Sequence, residues 1–111
     1  MKPIPKRLLC HLAEAIKYGS PDLWGKSTEE VVAQLKFVRL VREEKLVVDK
    51  QNNQVRQEAV LYFDCTNSLP SDFDFSAADR IRHNGVDYRV IDIKPMYDFD
   101  KLHHYEVILA I

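Results

Sequence analysis

With 111 residues the chain has the length of one domain, too short for a cofactor domain joined to a substrate domain. A hydrophobic fraction of 46% and a charged fraction of 30% belong to a folded globular protein rather than a disordered one. The formal net charge of −1 speaks against a nucleic-acid coat or a polybasic membrane binder, and three glycines leave little room for a phosphate-cradling loop.

No apolar run approaches the ~20 residues that span a bilayer. The basic start, with Lys2, Lys6 and Arg7 before Leu8 and Leu9, resembles the head of a signal peptide. His11 and Glu14 interrupt it and no small-residue cleavage site follows, so the chain is expected in the cytoplasm. Cys10 and Cys65 fit neither a metal spacing nor a secreted disulfide framework and are expected to be buried hydrophobes. Residues 1–56 carry 11 Lys and Arg against 7 Asp and Glu, whereas residues 57–111 carry 5 against 10. Opposite signs on opposite faces would favour head-to-tail contacts between copies; interleaving of the two halves would erase the pattern.

Residues 8–18 fit two patterns. Leu8, Cys10 and Leu12 alternate as in a strand, while Leu8, Leu9, Leu12 and Ile16 fit one helical face. Gly19, Ser20, Pro21 and Asp22 break the chain, and a loop continues over 23–26. Ser27 or Thr28 ahead of Glu29 and Glu30 predicts a helix N-cap with an acidic first turn. That helix must be short, because the strand formers Phe37, Val38, Leu40 and Val41 follow. The polar stretch 43–58 predicts a long flexible hairpin between strands near 35–42 and 56–65. Asp49, Lys50, Gln51, Asn52, Asn53 and Gln54 supply the turn chemistry at its centre.

Ala59, Leu61, Phe63 and Cys65 form the expected core face of the second of these strands, and Phe73 and Phe75 anchor the loop that follows. Asn84-Gly85, flanked by 81–83 and 86–90, predicts a type I′ hairpin. Its second arm changes apolar face from Val86, Tyr88 and Val90 to Ile91 and Ile93, which predicts a bulge or coverage on both sides. Residues 95–102 read as an acidic and apolar loop. Residues 102–111 alternate as a closing strand, central because Ile108 makes its second face apolar. The expected fold is mainly β: a small antiparallel barrel or sandwich of about six strands, with a long hairpin and at most one or two short helices, in one domain.

The dense cluster of metal-ligand residue types is His103, His104 and Glu106, with Asp98 and Asp100 upstream. Adjacent strand residues point to opposite faces, so His103 and His104 are not expected to share an ion. His104 and Glu106 share a face but are one or two ligands short of a zinc site. Cys10 and His11 are separated by the same geometry, and no elbow glycine accompanies them. No catalytic residue, metal or cofactor is assigned. Met96, Tyr97 and Phe99 are residue types enriched at interface cores; the other reading folds Tyr97 and Phe99 back to cap the barrel end.

Three segments together carry a family resemblance: Asn84-Gly85-x-x-Tyr88-x-Val90, Lys94-Pro95-x-Tyr97-x-Phe99 and Leu102-His103-His104-Tyr105-Glu106-Val107. They resemble the small minor capsid proteins of tailed bacteriophages and prophages. Asp22-Leu23-Trp24-Gly25 and Phe63-Asp64-Cys65 stand where that family has similar Trp-Gly and Phe-Asp segments. The likeness covers roughly residues 20–111 and is strongest over 80–108. The helix-compatible start and Ala78-Asp79, in place of a Gly-Asp turn, depart from it.

The resemblance implies a head–tail connector: a ring between portal and tail, located in the virion and assembled in the host bacterial cytoplasm. It implies a small β-barrel whose partners are further copies of itself, portal or adaptor proteins and tail-completion proteins, with no membrane. The free protein is expected to be monomeric. Met96, Tyr97, Phe99, Leu102 and His104 are then the expected interface to a neighbouring subunit or ring. By analogy with stopper-type connectors, Asp49, Lys50, Gln51, Asn52, Asn53 and Gln54 face the lumen, near packaged DNA and without sequence recognition. Two alternatives are a small metal-dependent hydrolase using His104, Glu106 and a nearby aspartate, and a small-barrel nucleic-acid binder.

Overall fold

The computed structural model describes residues 2–18, 29–49, 51–71 and 73–111. Six strands form one antiparallel sheet: β1 (His11–Tyr18), β2 (Glu29–Val48), β3 (Gln54–Asp64), β4 (Arg80–His83), β5 (Val86–Asp98) and β6 (Lys101–Ala110). The order is β1-β2-β3-β6-β5-β4, and β4 pairs back onto β1 to close the barrel. The helical content described is two single 3-10 turns, Lys6–Leu8 and Phe75–Ala77. The mainly β class expected from the sequence is therefore the one observed.

Alternating apolar residues of all six strands meet inside. Ala59, Leu61 and Phe63 of β3 and Val107 and Leu109 of β6 are fully enclosed with Leu35, Val38 and Ile81. Phe75 closes one end of this core, edge-on to Phe63 at 5.2 Å, with Phe73 at 5.0 Å and Tyr105 at 5.9 Å from its ring. Both phenylalanines thus anchor the 65–79 segment as expected. The Asn84-Gly85 turn has φ of 50° and 76°, the left-handed pair a type I′ hairpin needs. Next to it, Arg82 hydrogen-bonds Asp87 across the hairpin at 2.6 Å and reaches Glu29 of β2 at 2.7 Å. Those bonds hold the Asp87 carboxyl below the usual carboxylate range.

Several expectations are corrected. Residues 11–18, open to helix or strand, are strand β1. Glu29 and Glu30 do not open a helix: they pair with Tyr18 and Lys17 as the start of the 20-residue β2. The expected loop 19–26, Trp24, and the capping Ser27 and Thr28 lie outside the described residues. The β2–β3 ladder continues past the expected limits to Val48↔Gln54, leaving a short turn as its tip. Residues 95–102 are no loop, since β5 and β6 pair as far as Asp98↔Lys101. Cys10 is exposed, and Cys65 is half-buried just beyond the end of β3, so neither is a core hydrophobe.

Bulges explain why alternation misled. β2 carries an extra residue between the pairs His11↔Val38 and Ala13↔Leu35, where Phe37 has φ 55°. A second lies opposite Ala15 and Ile16, and a third between Arg42 and Lys45. Each one shifts the inward face by one residue. On β5 the bulge falls at Ile91, where the face change predicts one.

The third bulge is the root of the β2–β3 arm. Gln57 is fully buried there; its Nε2 donates to the Glu43 carbonyl at 2.9 Å, while its Oε1 has no partner among the described residues. Replacing Gln57 with methionine removes that unpaired acceptor and keeps the volume. Unfolding in denaturant should place Gln57→Met within about 1 kcal/mol of the wild type, because the lost bond and the relieved oxygen offset each other.

His11 ties β1 to β2: its Nδ1 accepts the Leu40 N–H at 2.9 Å, which requires an unprotonated nitrogen. Burial lowers its pKa from 6.5, and the neighbouring His83, with ring centroids 4.9 Å apart, and Arg39 lower it further. The unfolded chain therefore takes up this proton at higher pH than the folded one. The stabilisation is complete above pH 6.5 and is lost as pH falls towards the depressed folded value. Denaturation midpoints measured from about pH 7 to 5 should fall more steeply for the wild type than for His11→Gln, which has no proton to gain. Parallel curves would contradict this.

Candidate assembly surfaces

Antiparallel pairing fixes which turns share an end. From its pairs with β6, Ala59↔Leu109 to Asp64↔His104, β3 runs back to the 49–53 turn in one direction. β6 runs to the 99–100 turn in the other. The β2–β3 tip and the Asn84-Gly85 turn therefore lie at one end of the sheet and the β5–β6 tip at the opposite end, in a molecule 50 Å long and 29 × 26 Å across.

At the first end Asp49 organises the turn. Its carboxylate accepts the N–H groups of Gln51 and Asn53, both at 2.9 Å, and its own N–H donates to the Asn53 carbonyl. Asn52 takes the left-handed φ of 65° that asparagine tolerates. Gln51, Asn52, Asn53 and Gln54 are exposed, whereas Asp49 is half-buried by its turn. Lys50, the remaining residue of the expected lumen-facing set, lies outside the described residues. Below the tip, Val47 and Val48 line a groove of about 230 Å³ with Ile91 and Ile108, so the arm borders the outer face of β5 and β6. Arg42, Glu44, Arg56 and Glu58 ladder its exposed face with ion pairs of 2.7 to 3.9 Å.

At the opposite end, Tyr97 pairs with Leu102 and Met96 with His104, bringing these expected interface residues together on one arm. Met96 and Tyr97 are exposed, and Leu102 and His104 are half-buried. Phe99 stands at the tip with 98% of its surface in water and a φ of 57°.

The two histidines depart from the expected geometry. His103 is the bulged residue between Met96↔His104 and Tyr97↔Leu102, so strand alternation fails there. The rings meet, Nδ1 to Nδ1, at 2.7 Å. His103 Nε2 contacts the Lys2 carbonyl at 2.7 Å, and His104 Nε2 contacts Glu106 at 3.1 Å. A carbonyl and a carboxylate only accept, so each Nε2 faces an acceptor. Among the described residues, no three His, Cys, Asp or Glu side chains are gathered as a metal site requires.

Lys2 belongs to a strap that no local pattern places. Residues 2–9 cross the outer face of β2, β3 and β6. Asp64, fully buried, accepts the N–H of Ile4 at 3.0 Å, Thr66 at 3.0 Å and Asn67 at 2.7 Å. Asn67 donates to the Ile4 carbonyl at 2.8 Å, and Arg39 to the Leu8 carbonyl at 3.3 Å. Ser68 bonds both the Asp64 N–H and the Phe37 carbonyl, locking the strap's anchor to the β2 bulge. Between strap and sheet, Ile4, Leu8, Leu9, Arg39 and Tyr62 line a groove of about 350 Å³. No pattern in one sequence announces a single buried aspartate; Phe63-Asp64 gave only the hint of a family segment.

A family model described as Minor capsid protein matches residues 5–109, nearly the whole of this closed sheet with its strap. The chain belongs to that family. It is accordingly a structural component of a phage virion. No curated protein and no solved structure shows significant similarity to this minor capsid protein. Among its described residues, no helix is long and apolar enough to cross a membrane.

Proposed function

We propose that this minor capsid protein is a head–tail connector subunit, forming a ring between portal and tail and helping to close the DNA-filled head. The observation that carries the reading is the placement of two projecting tips at opposite ends of one closed sheet. A connector meets one partner on each side, and a closed sheet without free edges holds the two contacts at a fixed separation. The polar tip of Asp49, Gln51, Asn52, Asn53 and Gln54 faces the lumen and adjoins packaged DNA without reading its sequence. Its arm completes its ordering on assembly, since exposed ion pairs such as Arg56 with Glu44 contribute little on their own. The opposite tip, with Met96, Tyr97, Phe99, Leu102 and His104, meets a neighbouring subunit or ring.

Cross-linking of intact particles followed by mass spectrometry tests this reading. Lys101, beside the aromatic tip, should link to portal, adaptor, tail-completion or like subunits, and Lys45, on the polar arm, to a different set. Links from both lysines to the major shell protein alone would refute it.

A further inference from the structure

Resting on that ring-forming reading, we propose that neighbouring copies join head to tail. The aromatic tip of the β5–β6 hairpin of one copy seats in the groove between the N-terminal strap and the β2–β3 face of the next.

Phe99 is costly where it stands. A bulky side chain at φ 57° occupies a backbone region that favours glycine or asparagine. It also exposes 98% of its surface, and Tyr97 behind it exposes 60%. Both costs are offset if the ring is buried in a partner. Asp98 and Asp100 flank the phenylalanine and Lys101 pairs across from Asp98, so the knob sets an aromatic centre among two acids and one base.

The groove has the complementary chemistry. Ile4, Leu8, Leu9 and Tyr62 provide an apolar floor, Arg39 lines it, and the turn that supplies Leu8 also carries Lys6 and Arg7. Two larger hollows suit the knob less well: one of about 410 Å³ beside Leu12 has a mixed polar wall of Glu14, Gln34, Lys36 and Arg82, and one of about 400 Å³ is lined by Asp74 and by Lys101 and Leu102 of the knob's own hairpin. Apart from Tyr62, the groove is lined from the basic half of the sequence, and the knob comes from the acidic half. This gives the charge asymmetry a spatial meaning that interleaving does not erase. Knob and groove are different surfaces of the molecule, so the contact is heterologous. Such contacts propagate and close into a ring when the rotation allows.

Two single-cysteine probes on purified full-length protein test the contact. Both use a Cys10→Ser, Cys65→Ser background, because Cys10 is exposed and the half-buried Cys65 shares a hollow with Lys101. One adds Pro5→Cys at the groove, the other Lys101→Cys beside the knob, leaving Phe99 and the groove floor intact. Mixed and mildly oxidised, they should form the 5-to-101 disulfide in excess over random pairing. Phe99→Ala in the second protein or Arg39→Glu in the first should each reduce that excess several-fold. A random share of the mixed dimer, or an excess that neither substitution lowers, would overturn the proposal. Particle mapping is independent of this assay: a random share refutes the contact alone, and a location away from the portal refutes the connector reading alone.

Discussion

Replacing Asp64 with alanine is expected to destabilise the fold by about 3–4 kcal/mol, the range for removing a buried charged acceptor and stranding its donors. Three backbone N–H groups, from Ile4, Thr66 and Asn67, converge on this carboxylate in a site with no exposed surface. Two of them shape the turn that leaves β3, and the third holds the strap sixty residues away in sequence. Asp64→Asn keeps one carbonyl oxygen but turns an amide against donors, so it should cost about half as much. Denaturant unfolding at constant m measures the loss. Hydrogen exchange at the Ile4 amide should rise in both variants; unchanged protection there would separate the strap from Asp64.

Phe63→Ala is expected to cost about 3–5 kcal/mol, as large-to-small changes of buried aromatics do. Phe63 is 1% exposed and meets Phe75 edge to face, so its removal opens a cavity under the segment that closes this end of the core. Phe99→Ala gives the contrast: the same chemical change at a fully solvated tip should leave stability within about 0.5 kcal/mol of the wild type. The pair separates phenylalanines that hold the fold from one the fold does not use. A large loss at Phe99 would mean that the tip packs within its own molecule and would remove the ground for an intermolecular knob.

The sequence was most readable where a strand keeps strict register. Residues 104–110 alternate without interruption, and both faces of β6 are covered there, so the central strand could be read directly. Asn84-Gly85 announced its hairpin because few other pairs accept two left-handed residues in succession. β2 was obscured by three bulges, and Glu29 and Glu30 imitated the acidic first turn of a helix. Pairing of Glu30 with Lys17 is a long-range fact that no local rule contains. The same holds for the histidines: alternation separates them, and a one-residue bulge at His103 brings them into contact. Of the proposed surfaces, the knob was legible as an unusual composition in a turn, with Met96, Tyr97 and Phe99 among acids. The groove was not, because its lining comes from residues 4–9, 39 and 62, which only the closed sheet assembles.

Charge followed a similar course. The sign difference between the two halves is visible by counting, but its meaning depends on where Arg39 and the strap lie relative to Asp98 and Asp100. Exposed pairs along the β2–β3 arm contribute little each, whereas Arg82, bonded to Asp87 and Glu29 together, couples the β4–β5 hairpin to the start of β2.

Cryo-microscopy of the tail vertex of intact particles, without imposed shell symmetry, tests the central claim most directly. A ring of this six-stranded barrel is expected between portal and tail, its polar 49–54 turn towards the channel axis and Phe99 of each subunit buried against another chain. Density for the barrel confined to the icosahedral shell, with Phe99 in solvent, would contradict it.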